Sequence, residues 1–267
     1  MLIPRNLPSA RSLAALILCC AAVAGPVTAR AQMTSGVIGD RPGQITPLSR
    51  KGEVQIASSV QMEGDHELDA SRIRRPIYDY TSTLHLRVGI ASATELRLGC
   101  QYGHTFEKMD RCYRLDQGIS NVSLGTKSRI REMDSVFPEF SVFTNLRFPT
   151  GTGDGRIGTV LGGQFQADYT VGDGIGLTGN LGCEWEIFRR SVLLTYTATA
   201  AIPLFERSSI FFDLTGEHPV GYCESHILDA GFTYRISSRL QCDFAGGIGY
   251  FGDAPTYLFF TGISCIP

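Results

Sequence analysis

From residue 53 to its C-terminus the chain is written with a period of two. In Leu228-Asp229-Ala230-Gly231-Phe232-Thr233-Tyr234-Arg235-Ile236 every even position is apolar or aromatic and every odd one is polar or glycine. Leu194, Tyr196, Ala198, Ala200 and Ile202 alternate with Thr195, Thr197 and Thr199 in the same way. So do Phe165, Ala167, Tyr169 and Val171 with Gln164, Gln166, Asp168 and Thr170, and Leu84, Leu86, Val88 and Ile90 with His85, Arg87 and Gly89. Successive side chains of a strand point to opposite faces, so each such segment meets one greasy and one polar environment. Helical periodicity is absent, and no apolar run beyond residue 31 approaches the ~20 residues of a membrane helix. If this chain stands in a lipid bilayer, it must do so as a closed barrel, since only helices and barrels satisfy their backbone groups there.

Two architectures fit the alternation, a soluble sandwich and a membrane barrel. The polar face carries many glycines and charges of both signs, the apolar face is rich in Tyr, Phe and Leu, and no strand reads as buried on both sides. These features favour an all-β, transmembrane, antiparallel up-and-down β-barrel. Gly, Pro, Asp and Ser clusters divide it into about twelve strands. They lie near 53–61, 80–90, 94–103, 118–131, 138–149, 163–172, 175–187, 191–203, 208–217, 226–236, 239–251 and 256–266. An even number is what a single-chain outer-membrane barrel requires.

The beginning of the chain reads as an export signal, residues 1–31. Arg5 and Arg11 supply a positive start, Leu13 to Gly25 an uncharged apolar stretch, and Ala29-Arg30-Ala31 a cleavage site. Residues 32–50 read as a flexible leader, rich in Gly, Pro, Ser and Thr, and 51–267 as the barrel. The formal charge is −2 and becomes more negative once Arg5, Arg11 and Arg30 leave with the signal. No basic block suggests a nucleic-acid partner. The expected location is the bacterial outer membrane, and the expected partners are its lipids and a small-molecule solute.

The candidate site is the polar face, expected to line a lumen. Its basic members are His85, Arg87, Arg97, Lys127, Arg129, Arg131, Arg147 and Arg235, and its acidic members are Asp168, Glu184, Glu186, Asp213, Glu217, Asp229 and Asp243. Basic residues dominate the N-terminal strands and acidic ones the C-terminal strands. Two arcs of opposite sign would then face each other across the lumen, either neutralising one another or orienting a passing solute. Tyr78, Tyr80, Tyr102, Phe148, Tyr169, Trp185, Phe188, Tyr250 and Tyr257 fall near strand ends, where a membrane-interface girdle would stand.

Catalysis finds little support. Neither Gly-x-Ser-x-Gly nor His-Glu-x-x-His occurs, and His66, His85, His104, His218 and His226 are scattered. The run Pro149 to Gly158 holds several glycines but no phosphate-loop ending, and reads as a surface loop. No cofactor is implied, and no cysteine pair has zinc or redox spacing. In an exported protein disulfides are the default expectation. A hairpin turning near Asp253-Ala254 would set Cys242 opposite Cys265, and Cys100 and Cys112 flank another such turn.

The order of segments resembles the outer-membrane barrels of the MetA-pathway phenol-degradation and transporter family, over about residues 51–266. The matching pieces are Leu84 to Ile90 followed by Glu95-Leu96-Arg97-Leu98-Gly99, then Gly118 to Lys127, and the Phe148-Pro149-Thr150-Gly151 turn. Asp229 to Tyr234, Gln241-Cys242-Asp243 and Gly252-Asp253-Ala254-Pro255 complete them. The resemblance implies a barrel of about twelve strands passing small compounds, hydrophobic or aromatic ones included. The alternative is a structural or surface-interaction barrel with a plugged lumen and ligand-binding loops. The terminal Ser264-Cys265-Ile266-Pro267 departs from the aromatic ending usual in such barrels.

Overall fold

The structure, a computed structural model, describes residues 50–68, 74–108, 113–134, 137–150, 158–172 and 174–267. The expected signal segment 1–31, nearly all of the 32–50 leader, and Cys112 lie outside the described residues.

Twelve strands follow one another in the chain. They are β1 (Val54–Leu68), β2 (Arg74–Ala91), β3 (Thr94–Lys108), β4 (Tyr113–Arg131), β5 (Glu139–Phe148) and β6 (Val160–Val171). Then come β7 (Ile175–Glu186), β8 (Ser191–Phe205), β9 (Ser208–Pro219), β10 (Ser225–Ser237), β11 (Leu240–Gly252) and β12 (Tyr257–Cys265). Each pairs antiparallel with its sequence neighbours, and β1 pairs with β12, so the sheet closes and no edge remains. Number and order agree with the parity reading.

The ends differ, chiefly in the first two hairpins. Parity places β1 at 53–61 and β2 at 80–90, yet their ladder continues from Met62↔Tyr80 to Leu68↔Arg74. Alternation is needed only while one face meets lipid. Where both faces meet the same wet surroundings the need lapses, so Glu63, Asp65 and Asp79 can sit in a continuing ladder without showing it.

Closure makes two rims. The turn rim holds the start of β1, the end of β12 and the connections 92–93, 132–138, 172–174, 206–207 and 238–239. Gly172 and Gly174, at φ 53° and 101°, make the tight β6–β7 turn there, a backbone region that residues with a Cβ rarely enter. The loop rim holds the other connections, among them 149–159, 220–224 and 253–256. Gly252 sits on it at φ 73°, and a Cβ would stand 1.6 Å from the Glu224 carbonyl oxygen.

One face can be followed round the wall by register. Thr178, Thr199, Asp213, Asp229, Gly247, Leu258 and Glu63 form one row, each facing the next across a ladder. One residue along, Leu177, Ala200, Phe212, Ala230, Gly246, Phe259 and Met62 form another. The first row shares its parity with the buried polar residues Thr197, Thr233, Asp243 and Lys127. The second shares its parity with exposed Leu181, Phe244 and Ile248. Polar in and apolar out is the inverse of a water-soluble barrel. At ~25 cal/mol per Å² of apolar surface, leaving a belt of this kind against water is costly. Within the lumen a small apolar cluster of Ala201, Phe211 and Phe260, with Ala245 packed against it, forms the only buried hydrophobic cluster among the described residues.

Cys242 and Cys265 are not bridged. Cys242 faces Ile263 and Cys265 faces Leu240, so the hairpin register is displaced two residues from the expected one and no disulfide joins the pair. The cause is the β11–β12 turn, where the Gly249 amide bonds the Pro255 carbonyl at 2.9 Å and the loop closes around that contact.

Candidate functional site

Of the fifteen charged or ionisable residues expected to line the lumen, fourteen take the inner parity; Arg131 lies past a bulge in β4, opposite Phe140, and takes the outer one. Toward the turn rim stand His85, Arg87, Arg97, Lys127, Arg129, Asp168, Arg235 and Asp243. Asp213 and Asp229 lie midway and face each other directly on β9 and β10. Arg147, Glu184 and Glu186 lie nearer the loop rim. Tyr78, Tyr80, Tyr102, Phe148, Trp185, Tyr250 and Tyr257 share the outer parity near the loop rim, while Tyr169 lies outward near the turn rim and Phe188 is in a loop.

The charges do not meet as two arcs across the lumen. Arg97, Arg129 and Arg147 find an acid on their own or a nearby strand or the adjoining turn, and Arg87 and Arg235 reach neutral oxygens. The Arg97 guanidinium donates to Glu95 at 2.5 Å and lies over the Phe143 ring, 5.0 Å from its centroid. Arg129 pairs with Glu132 at 2.7 Å and Glu139 at 3.5 Å, and Arg147 pairs with Glu184 two strands away. Arg87 reaches the Gln55 amide oxygen at 3.4 Å, and Arg235 donates to the Glu206 carbonyl at 2.6 Å.

The acids are held by neutral donors as well. Asp168 accepts from Gln166 at 2.6 Å and from Thr178 at 2.5 Å. Asp243 accepts from Thr233 at 2.8 Å and Gln241 at 3.0 Å, and Glu186 from the Gly158 amide at 3.0 Å and Ser191 at 3.2 Å. Just ahead of β1, burial lifts the Glu53 carboxyl above its ordinary range; Arg50 opposes the rise and Glu95 adds to it.

These contacts build a packed belt in the turn-rim half of the lumen. Glu95, Ser141, Thr233, Asp243 and Phe211 are fully buried there, and Lys127 is 1% exposed. Burying charges this deeply is stable only with partners in place. Lys127 stands beside Glu95 in register and interacts electrostatically with Arg97, Asp168, Glu95 and Arg87. Glu95, Phe143 and Phe211 belong to this belt and are residues that the sequence reading leaves out. Glu95 shares the parity of Arg97, which is the signal that could have found it.

The loop-rim half is different. A cavity of about 590 Å³ opens there, walled by the outer ends of β1–β3 and of β9–β10. Hydroxyl and amide groups make up about half of its lining, with Gln61, Thr81, Thr83, Gln101 and Thr215, and the carboxylates Glu63, Glu217 and Asp253 and the apolar Pro219, Ile227 and Pro255 share the rest. Tyr222 and Cys223, from the 220–224 loop, lie over its mouth. The lumen is therefore a vestibule standing on a charged, close-packed floor.

Comparison with known proteins shows the fold. A solved outer-membrane channel from Pseudomonas putida F1 is similar at a TM-score of 0.66 and 10% identity, covering 84% of this chain and 97% of that one. The KdgM porin in complex with disordered oligogalacturonate is similar at 0.52 and 11% identity, over 79% of this chain and 98% of that one. The β-domain of the Bordetella autotransporter BrkA reaches 0.52 at 9% identity, over 81% and 100%. No family model and no curated protein matches the chain. The class of protein is thus a twelve-strand barrel with the architecture of outer-membrane proteins. That architecture serves a channel, a porin and an autotransporter alike, so function must be argued from the lumen.

Proposed function

We propose that this chain is exported and stands in the bacterial outer membrane as a channel or transporter for small solutes. The observation that carries the reading is the lumen itself: a cavity of about 590 Å³ lined in part by hydroxyl, amide and carboxylate groups, enclosed by a sheet whose outer face is apolar. The resemblance to the phenol-degradation and transporter barrels supports it, and implies passage of small compounds, hydrophobic or aromatic ones included. The loop rim, with the longest hairpins, would face outward, as longer loops do in such barrels. The work done is passage or binding rather than catalysis. Reconstituted protein should produce unit conductance steps in planar bilayers and swelling of proteoliposomes. Folded protein that gives neither would overturn the channel reading.

The packed floor favours a second reading, a barrel plugged by its own side chains whose loops bind a partner. Deleting residues 221–223 would then remove binding to cells or matrix while leaving the folded barrel and its lack of conductance unchanged.

A further inference from the structure

We infer that the loop-rim vestibule is a binding site for small, uncharged, polyhydroxylated solutes of the sugar class. The inference rests on the barrel standing in a membrane with this end open, and it goes beyond passage by assigning the solute's chemistry.

Volume comes first. About 590 Å³ lies inside the ~300–1,000 Å³ of small-molecule sites, enough for a mono- or disaccharide with some water. The wall then decides the chemistry. Every sugar hydroxyl is both donor and acceptor, and hydroxyl and amide side chains offer the same pair of functions. Thr81, Thr83 and Gln101 present them from two adjacent strands on one side, the Gln61 amide, whose nitrogen donates to Glu63 at 2.5 Å, adds its oxygen from a third, and Glu217 adds an acceptor from the other side. These groups share one inner face along β1, β2 and β3, so a ring with hydroxyls along its edge could meet several of them at once.

Two rival chemistries fit less well. A hydrocarbon or simple aromatic would strip water from these groups and return no hydrogen bond. An anionic solute would meet Glu63, Glu217 and Asp253, with no Lys or Arg among the described lining residues. One aromatic surface is offered, Tyr222, exposed in the loop over the mouth. A single ring above a wall of hydrogen-bonding groups matches a sugar, which has an apolar C–H face and a polar rim.

The test uses the mature barrel folded in dimethylamine-oxide micelles, because a glycoside detergent would itself compete. Saturation-transfer NMR is recorded with glucose, gluconate and toluene. Saturable transfer to glucose, with weaker transfer to the other two, is expected. Thr81→Val with Gln101→Leu should weaken glucose about tenfold or more while the heat-modifiable gel shift is retained. If that double variant loses the shift, Tyr222→Ala in the exposed loop replaces it and must also weaken glucose. No transfer to glucose, equal or stronger transfer to gluconate or toluene, or unchanged glucose affinity in a folded variant overturns the assignment. Proteoliposome swelling separates the two readings. Glucose binding without swelling leaves this site standing and removes the channel, whereas swelling without glucose binding does the reverse.

Discussion

Replacing Glu95 by glutamine should cost this barrel more than any other single isosteric change among its described residues. Glu95 is the second residue of β3 and fully buried, and both Nε and Nη2 of Arg97 reach its Oε1 at 2.5 Å. Lys127 is its register partner on β4, and Arg87 completes the cationic surroundings. Removing the carboxylate charge leaves three cations facing one another with Asp168 as the remaining acid near Lys127. A close pair at an effective dielectric near 20 is worth about 4 kcal/mol, and breaking a buried pair typically costs about 3–5 kcal/mol. Arg97 keeps some water contact, since its side chain is 17% exposed, which lowers the expectation to about 2–4 kcal/mol. Reversible urea unfolding from lipid vesicles measures this for wild type, Glu95→Gln, Lys127→Met and the double variant. The double variant, with one charge of each sign removed, should recover at least about 1 kcal/mol of the loss as a coupling energy. Should Glu95→Gln unfold within about 0.5 kcal/mol of wild type, with the cycle additive, the belt is not held by this carboxylate and the reasoning fails.

Four further outcomes follow from the same geometry. Gly231→Ala would place a methyl 2.1 Å from the Phe211 ring and 2.4 Å from the Phe244 carbonyl, so a loss of about 1–3 kcal/mol in the same unfolding assay is expected. Phe211→Ala, which removes the ring packed in the lumen's apolar cluster, should destabilise by about 3 kcal/mol and raise single-channel conductance; unchanged conductance would place the constriction elsewhere. Trp185, the only tryptophan, points outward near the loop rim, so lipids brominated near the headgroup should quench it more than lipids brominated near the chain ends. Because the folded state holds the Glu53 proton more tightly than the unfolded chain does, this group's contribution to stability falls as pH rises from its ordinary value of 4.5 through the raised folded one, and Glu53→Gln should flatten that part of the stability–pH curve.

What was legible in the sequence was whatever depends on parity. The face occupied by Arg97, Asp168 or Asp243 follows from odd and even positions along one strand, with no knowledge of its neighbours. The strand count follows from where parity is interrupted. The long hairpins β1–β2 and β3–β4 outran the reading because parity is a record of two solvents, and their outer ends meet only one. The vestibule went unseen for a related reason. Its neutral hydroxyls and amides, such as Thr81 and Gln101, read as ordinary strand residues, and of its wall the polar-face set holds only the carboxylate of Glu217.

Pairing was not legible, and the cysteines show why. A strand may slide past its neighbour by two residues and every side chain still points to its original face. Cys242 and Cys265 keep their outward parity in the observed register, yet that shift replaces each as the other's partner by Ile263 and Leu240. The charges obey the same rule. Their inward direction is fixed strand by strand, but whether Arg147 meets an acid across the lumen or Glu184 two strands away depends on register and on which strands adjoin. Basic residues crowded into β2–β5 must be neutralised where they are buried, because a charge held in a packed belt cannot wait for a partner a barrel's width away. Local acids such as Glu95 and Glu139 therefore carry the neutralisation, and Asp213 and Asp229, side by side in the opposite wall, are left to face the lumen beneath the vestibule.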